Sequence, residues 1–183
     1  RRAVDERLRD YWRRWLDHRS MFYVLLLDVD YFKRYNDRYG HQEGDRCLVA
    51  VSHLLQEVVN SHGARIARYG GEEFIIIAQQ QSVEDAIAFA EAIKSAIRAL
   101  ALPHENRRDG TSIVTVSIGL SFARNQTKPL DRVVHEADLA LYAAKKGGRN
   151  TVVVFDPGDA RTRDDEEDIA AILKVAVAQR LVS

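Results

Sequence analysis

The segment Arg68-Tyr69-Gly70-Gly71-Glu72-Glu73-Phe74 places two adjacent carboxylates in what reads as a turn between two apolar runs. Like charges side by side repel, and a hairpin turn chosen for folding alone favours Asn-Gly or a similar pair. Glu72 and Glu73 therefore ask for a cation. A third carboxylate, Asp28, closes an apolar stretch at Leu27-Asp28-Val29-Asp30. If the two strands are neighbours, Asp28 faces the turn at Glu72 and the Val29 carbonyl adds an oxygen. Hard Mg²⁺ or Mn²⁺ prefers such an all-oxygen set. Taken singly, the residues have plainer readings: Asp28 or Asp30 as the cap of a short helix over residues 31–36, and Glu72-Glu73 as a solvated turn.

Those side chains need a scaffold, and the hydrophobic pattern supplies one. Leu8, Trp12, Trp15 and Leu16 recur at helical spacing within residues 3–19. Residues 22–27 are continuously apolar, as in a buried strand. Leu48, Val51, Leu55 and Val59 mark a long helix over 45–59, and strands at 65–69 and 74–78 flank Gly70-Gly71, whose tolerance of positive φ suits a tight hairpin. Ser82 is a good N-cap for a helix over 83–100. A polar loop over 103–110 leads to a strand at 113–122. A helix over 130–146 ends at Gly147-Gly148, and 152–155 forms a last short strand. The order strand, helix, strand, strand, helix, strand is the split βαβ pattern of an α+β, ferredoxin-like fold, with the first and third strands adjacent at the centre of an antiparallel sheet flanked by helices.

Composition bounds the rest. The 183 residues amount to about one domain. With 46% apolar and 30% charged residues the chain is globular and not disordered. Its 27 basic and 27 acidic residues cancel, which argues against a nucleic-acid or other general polyanion binder and leaves room for a local phosphate grip. The one cysteine, Cys47, is followed by the apolar run Leu48-Val49-Ala50-Val51 and reads as a core thiol in a reducing compartment. The longest apolar run, residues 21–27, falls far short of the ~20 residues of a membrane span, and no signal-like segment opens the chain. The expectation is a cytoplasmic domain with no direct membrane segment.

With its Gly70-Gly71-Glu72-Glu73-Phe74 signature the chain resembles the GGDEF-domain diguanylate cyclases, which join two GTP molecules into cyclic di-GMP. The likeness extends, in order, to Leu27-Asp28-Val29-Asp30-Tyr31-Phe32-Lys33, Asn36-Asp37, Gly40-His41, Gly44-Asp45, Ser117-Ile118-Gly119, Ala137-Asp138, Leu141-Tyr142, Ala144-Lys145 and Gly148-Arg149-Asn150. It implies a palm-type relative of the ferredoxin-like fold. It also implies that Asp28, Glu72 and the Val29 carbonyl hold Mg²⁺ or Mn²⁺, and that Glu72, with a share for Glu73, accepts the proton of the attacking 3′-hydroxyl. Asn36 and Asp45 match the guanine readers: a carboxylate accepts from N1–H and N2–H together, a donor pair that adenine lacks. The backbone amides of Phe32 and Lys33, the Lys33 side chain, Lys145 and Arg149 match phosphate contacts. His41 matches a substrate contact, and Gly70-Gly71 form the hairpin that holds the nucleotide. The product is two-fold symmetric, so the resemblance implies a homodimer with half-sites opposed.

Competing readings accompany these matches. Asp45 suits an N-cap, His41 a turn histidine bonded to backbone, and Lys145 and Arg149 the complement of a helix dipole. His135 and Asp138, three apart on a helix, imitate a metal pair but have no third ligand. Ser61 and Ala64 stand where family members often carry the Arg and Asp of an inhibitory product site, so no such site is expected. Arg1-Arg2 matches the pair following the family's opening segment, which points to an output domain normally preceded by a sensor. Residues 1–158 read as the catalytic domain. Residues 159–183 read as a C-terminal helix or linker, with five acids from Asp164 to Asp168 followed by Ile169, Ile172, Leu173, Ala176 and Val177 on one face. The alternative function is a GTP-binding sensor without turnover, or an interaction module of the same fold.

Overall fold

The computed structural model describes residues 6, 9–13, 21–80, 82–123 and 128–156. The acidic C-terminal segment lies outside the described residues. Strand β1, Met21–Val29, is apolar until Asp28 and is buried along nearly its whole length, as a strand covered on both faces must be. Its alternate side chains enter different cores. Tyr23, Leu25, Leu27 and Val29 pack with helices α1 (Phe32–Tyr39), α2 (His41–Ser61) and α3 (Val83–Ala99). Phe22, Val24 and Leu26 pack with α4 (Leu130–Lys146) and with Trp12. Residues 9–13 are helical, in accord with the first amphipathic segment.

The remaining strands are β2 (Arg65–Gly70), β3 (Glu73–Gln80), β4 (Val116–Ala123) and β5 (Val152–Val154), in the sheet order β2-β3-β1-β4-β5. The first and third strands are indeed paired at the centre. The sheet is mixed and not wholly antiparallel, because α4 carries the chain back over the sheet and β5 joins β4 in parallel. Gly119 makes that crossover tight. A Cβ there would lie 2.1 Å from the Ala137 carbonyl oxygen and 2.2 Å from the Leu141 amide nitrogen, so only glycine lets the α4 backbone rest on β4.

Three boundaries differ from the pattern in the sequence. Helix α2 begins at His41, directly after the break at Gly40, so Asp45 lies inside the helix and caps nothing. Strand β4 begins at Val116, because Ile113 bridges Pro103 and the Val114 amide donates to Leu102, closing residues 102–114 into a loop of their own. The hairpin turns at Gly71-Glu72 without positive φ at either glycine; instead a register shift between Arg68 and Gly70 opens the ladder. Ser82 caps α3 as expected, its hydroxyl accepting from the Asp85 amide, and Cys47 is a buried core thiol whose pKa burial pushes up to about 11.

Candidate active site

Asp28 lies on the same sheet face as Leu26 and so looks toward α4. Its partner across the sheet is Glu73, and the neighbouring Val29 amide donates to the Glu72 carbonyl at 3.3 Å. The carboxylate predicted to face Glu72 is therefore opposite Glu73, with Glu72 one residue further into the turn. Asp28 is 7% exposed, and Lys145 from the last turn of α4 places Nζ 2.6 Å from its Oδ2. Burial raises the Asp28 pKa to about 6, Glu72 and Glu73 push it the same way, and Lys145 opposes them. Three carboxylates thus press on a position where positive charge is favoured.

Among the described residues, no three His, Cys, Asp or Glu side chains gather as a ready-made metal cage. The donor set nevertheless fits a hard cation that keeps water and substrate phosphate oxygens in its shell, as Mg²⁺ does. His135 and Asp138 on α4 belong to no such cluster.

Asp30 behaves differently from Asp28. It is 1% exposed and accepts from the Thr115 hydroxyl at 2.7 Å, the Ser117 hydroxyl at 2.7 Å and the Asn150 amide at 3.0 Å. It caps no helix; it ties β1 to β4 and to the loop after α4. The sequence held a trace of this in Thr115 and Ser117, polar residues two apart at the start of an otherwise apolar segment.

Tyr31 precedes α1 in the left-handed region, φ 57°, and supplies no side-chain cap. The first-turn amides, including those of Phe32 and Lys33, keep the unpaired donors of a helix start. Phe32 is buried and Lys33 exposed. Further along α1, the Asn36 Oδ1 is buried without a hydrogen-bond partner, and it occupies the space of a side chain at residue 44: a Cβ on Gly44 would sit 1.8 Å from it. Within the described residues this buried amide oxygen is an acceptor without a donor, in space that α2 leaves open by having glycine at residue 44. Asp45 and His41 are exposed on the same first turns of α2.

Arg149 follows α4 at φ 68°, its guanidinium carbon 4.3 Å from the Tyr31 ring centroid and Nη1 3.4 Å from the Tyr31 hydroxyl. A Cβ at Gly71 would meet nothing within 4 Å, so the turn's flank is open, whereas one at Gly70 would come to 3.0 Å from Glu73 Oε2. At the far end of β2, the Ser61 hydroxyl donates back to the Val58 carbonyl and Ala64 is buried. Neither presents a cation or a carboxylate.

A profile of the diguanylate cyclase GGDEF domain matches residues 1–151. The chain belongs to the GGDEF diguanylate cyclase family. This GGDEF domain is 35% identical over 131 residues to diguanylate cyclase A of Treponema denticola, a match covering 72% of the chain and 34% of that protein. It is 38% identical over 132 residues to diguanylate cyclase VdcA of Vibrio cholerae, covering 71% and 38%. It therefore spans roughly a third of the length of these curated relatives. Among solved structures, the active GGEEF domain of a diguanylate cyclase from Vibrio cholerae superposes with a TM-score of 0.75 at 29% identity, covering 86% of this chain and 97% of that one. The coiled coil and GGDEF domain of DgcB from Caulobacter crescentus, in complex with c-di-GMP, gives 0.73 at 30% identity, covering 84% and 80%. These likenesses carry the palm-like α+β fold. Among the described residues, no helix is long and apolar enough to cross a membrane.

Proposed function

We propose that this GGDEF domain condenses two GTP molecules into cyclic di-GMP and two pyrophosphates, in a dimer whose half-sites face each other. One observation carries the reading: Asp28, Glu73 and the Glu72 turn share a sheet end with the uncapped start of α1 and the Asn36–Gly44 cradle. Carboxylates for a cation, amides for phosphate and an orphaned amide for a base are the three things a purine triphosphate needs.

Asp28, the Val29 carbonyl and Glu72 would hold Mg²⁺ or Mn²⁺, which when bound supplies positive charge to the α-phosphate and the departing pyrophosphate. The chain's own residues do the rest. Asn36 and Asp45 orient the guanine, with His41 beside them, and the Phe32 and Lys33 amides, the Lys33 side chain, Lys145 and Arg149 hold the phosphates. Gly70 and Gly71 let the nucleotide approach the hairpin. Glu72, or Glu73 next to it, takes the proton of the 3′-hydroxyl as its oxygen bonds the α-phosphorus of the other nucleotide and the bond to pyrophosphate breaks. Each chain holds one such set of residues, so the symmetric product needs two chains.

We extend the reading to a catalytic unit over 1–158 and a separate helix or linker over 159–183, working beside a sensor. The lone core thiol of Cys47 supports a cytoplasmic setting. The deciding experiment is incubation with GTP and Mg²⁺ and chromatography of the nucleotides. Cyclic di-GMP with matching pyrophosphate is expected; tight GTP binding with no product would establish the sensor reading instead.

A further inference from the structure

The loop closing residues 102–114 contains a buried cation that the family motifs do not include. The Arg107 side chain is 0% exposed. Its Nε donates to Asp109 Oδ1 at 3.0 Å and Nη2 to the other oxygen of that carboxylate. Its Nη1 donates to the Ile113 carbonyl at 3.1 Å and to the Thr115 hydroxyl oxygen at 2.8 Å. A guanidinium taken out of water must be matched this fully or it destabilises the fold. The loop could have been closed with apolar side chains, so the question is what the charge orients.

Two routes lead from Arg107 to Arg149. The first is the Tyr31 ring, which has the Arg107 guanidinium carbon 5.0 Å and the Arg149 guanidinium carbon 4.3 Å from its centroid. Asp109 neutralises Arg107, and its own carboxyl is drawn down to about 2, chiefly by the Arg107 hydrogen bonds. Among the described residues no acid pairs with Arg149, and the Arg34 guanidinium carbon also lies 5.5 Å from the centroid, so the ring carries one compensated cation, Arg107, beside Arg149 and Arg34. The second route is a directed chain of hydrogen bonds. Arg107 has no acceptor, so the Thr115 hydroxyl that receives its N–H sends its own proton to Asp30 Oδ2. The same Asp30 oxygen receives the Asn150 amide. Arg149 and Asn150 are consecutive non-glycine residues at φ 68° and 49°, a conformation that persists only when its surroundings hold it. The Asp30 contact and the Arg149 amide's bond to the Ala144 carbonyl at 3.0 Å are what hold it.

We propose that Arg107 is a positioning residue for the triphosphate, fixing through Tyr31 and through Thr115–Asp30 the strained turn that aims Arg149. The inference rests on the reading that Arg149 contacts phosphate. It is tested by titrating a non-hydrolysable GTP analogue, with Mg²⁺, into the wild type, Arg107→Met, Arg149→Met and the double variant, with GMP titrated in parallel. Arg107→Met weakens the triphosphate by about tenfold, GMP much less, and adds almost nothing once Arg149 is already Met. Asp109→Asn, which keeps the shape of a side chain 21% exposed, reproduces part of the loss with the fold intact by thermal unfolding. An Arg107→Met loss that is undiminished in the Arg149→Met background, or equal for GMP and the triphosphate, overturns the proposal. If Arg149→Met alone leaves triphosphate binding unchanged, the phosphate role of Arg149 fails first, and the proposal falls with it.

Discussion

Lys145 Nζ lies 2.6 Å from Asp28 Oδ2, joining the last turn of α4 to the end of the central strand. The contact exists because Gly119 lets α4 settle onto β4. A lysine proposed for phosphate is thus also the counter-ion of a carboxylate proposed for the metal.

Asp28→Asn removes turnover yet stabilises the metal-free domain. The Asp28 pKa is raised from 3.8 to about 6, mainly by burial. Its favourable contribution is therefore complete below the unfolded value and is lost as pH rises through about 6, leaving at neutral pH a penalty of roughly 3 kcal/mol. The amide escapes it, and with Lys145 left unpaired the net gain is about 1–2 kcal/mol. Activity falls by about two orders of magnitude or more. Urea unfolding in chelator at pH 7.5 and pH 4 checks the first statement: the variant leads at 7.5 and its lead shrinks at 4. A variant less stable than wild type at both pH values would mean that Asp28 is there to support the fold.

A second pH dependence of opposite sign resides in His104. Its ring is buried, with Nε2 3.3 Å from the Tyr31 carbonyl and Nδ1 unpartnered. Burial, aided by Arg107 and Arg34, lowers its pKa. A depressed histidine contributes stability above its unfolded value, near 6.5, and loses it as pH falls. In the Asp28→Asn background, where the opposing carboxylate is gone, stability should decline from pH 6.5 to 5. Adding His104→Gln should flatten that slope, and an unchanged slope would assign it to other groups.

How much of this was legible in the sequence follows from what each residue answers to. The order of elements and both central strands were readable, because burial on two faces imposes continuous apolar runs such as residues 22–27. The limits of α4 were readable too, since Leu130 begins its periodicity and Gly147-Gly148 ends it. The start of α2 was hidden because His41, Gln42 and Glu43 are polar and the apolar pattern begins later, although Gly40 had already broken the chain. The candidate site residues were named from residue type and motif order. The supporting network was not: Arg107 and Asp30 are separated from their partners by loops whose geometry no periodicity records.

Gly44→Ala should weaken guanine binding without unfolding the domain. Alanine favours the helix by about 1 kcal/mol over glycine, but its Cβ would stand 1.8 Å from Asn36 Oδ1, so the amide must leave. KM for GTP should rise about five- to tenfold, with GMP affinity falling in proportion if Asn36 serves the base, as proposed, and not the phosphates. Wild-type affinity for both nucleotides would show that Asn36 reads nothing.

Cyclic di-GMP should not inhibit through a site at Ser61 and Ala64. The Ser61 hydroxyl is committed to the Val58 carbonyl and Ala64 is buried, so no guanidinium fork or carboxylate is offered there. Calorimetric titration of the product should give no submicromolar binding. Tight binding abolished by Arg65→Ala would relocate the site to the exposed face of β2.

The last expectation concerns concentration. The chain has one Asp28–Glu73 pair and one Asn36–Gly44 cradle, which the proposed function gives to one GTP. In the proposed reaction each 3′-oxygen attacks the other nucleotide's α-phosphorus, so two chains would oppose their sites, each supplying the other's reactant. With 27 basic against 27 acidic residues no net charge steers association. Where pairing is weak, the active species is a minor fraction that grows with total protein. Initial rate per chain, measured at saturating GTP from nanomolar to tens of micromolar enzyme, should therefore climb before levelling. A flat profile with cyclic di-GMP formed would indicate a tight dimer, and sedimentation at the lowest concentration would then have to find two chains together. A flat profile with a sedimenting monomer that still makes product would remove the opposed-site mechanism altogether.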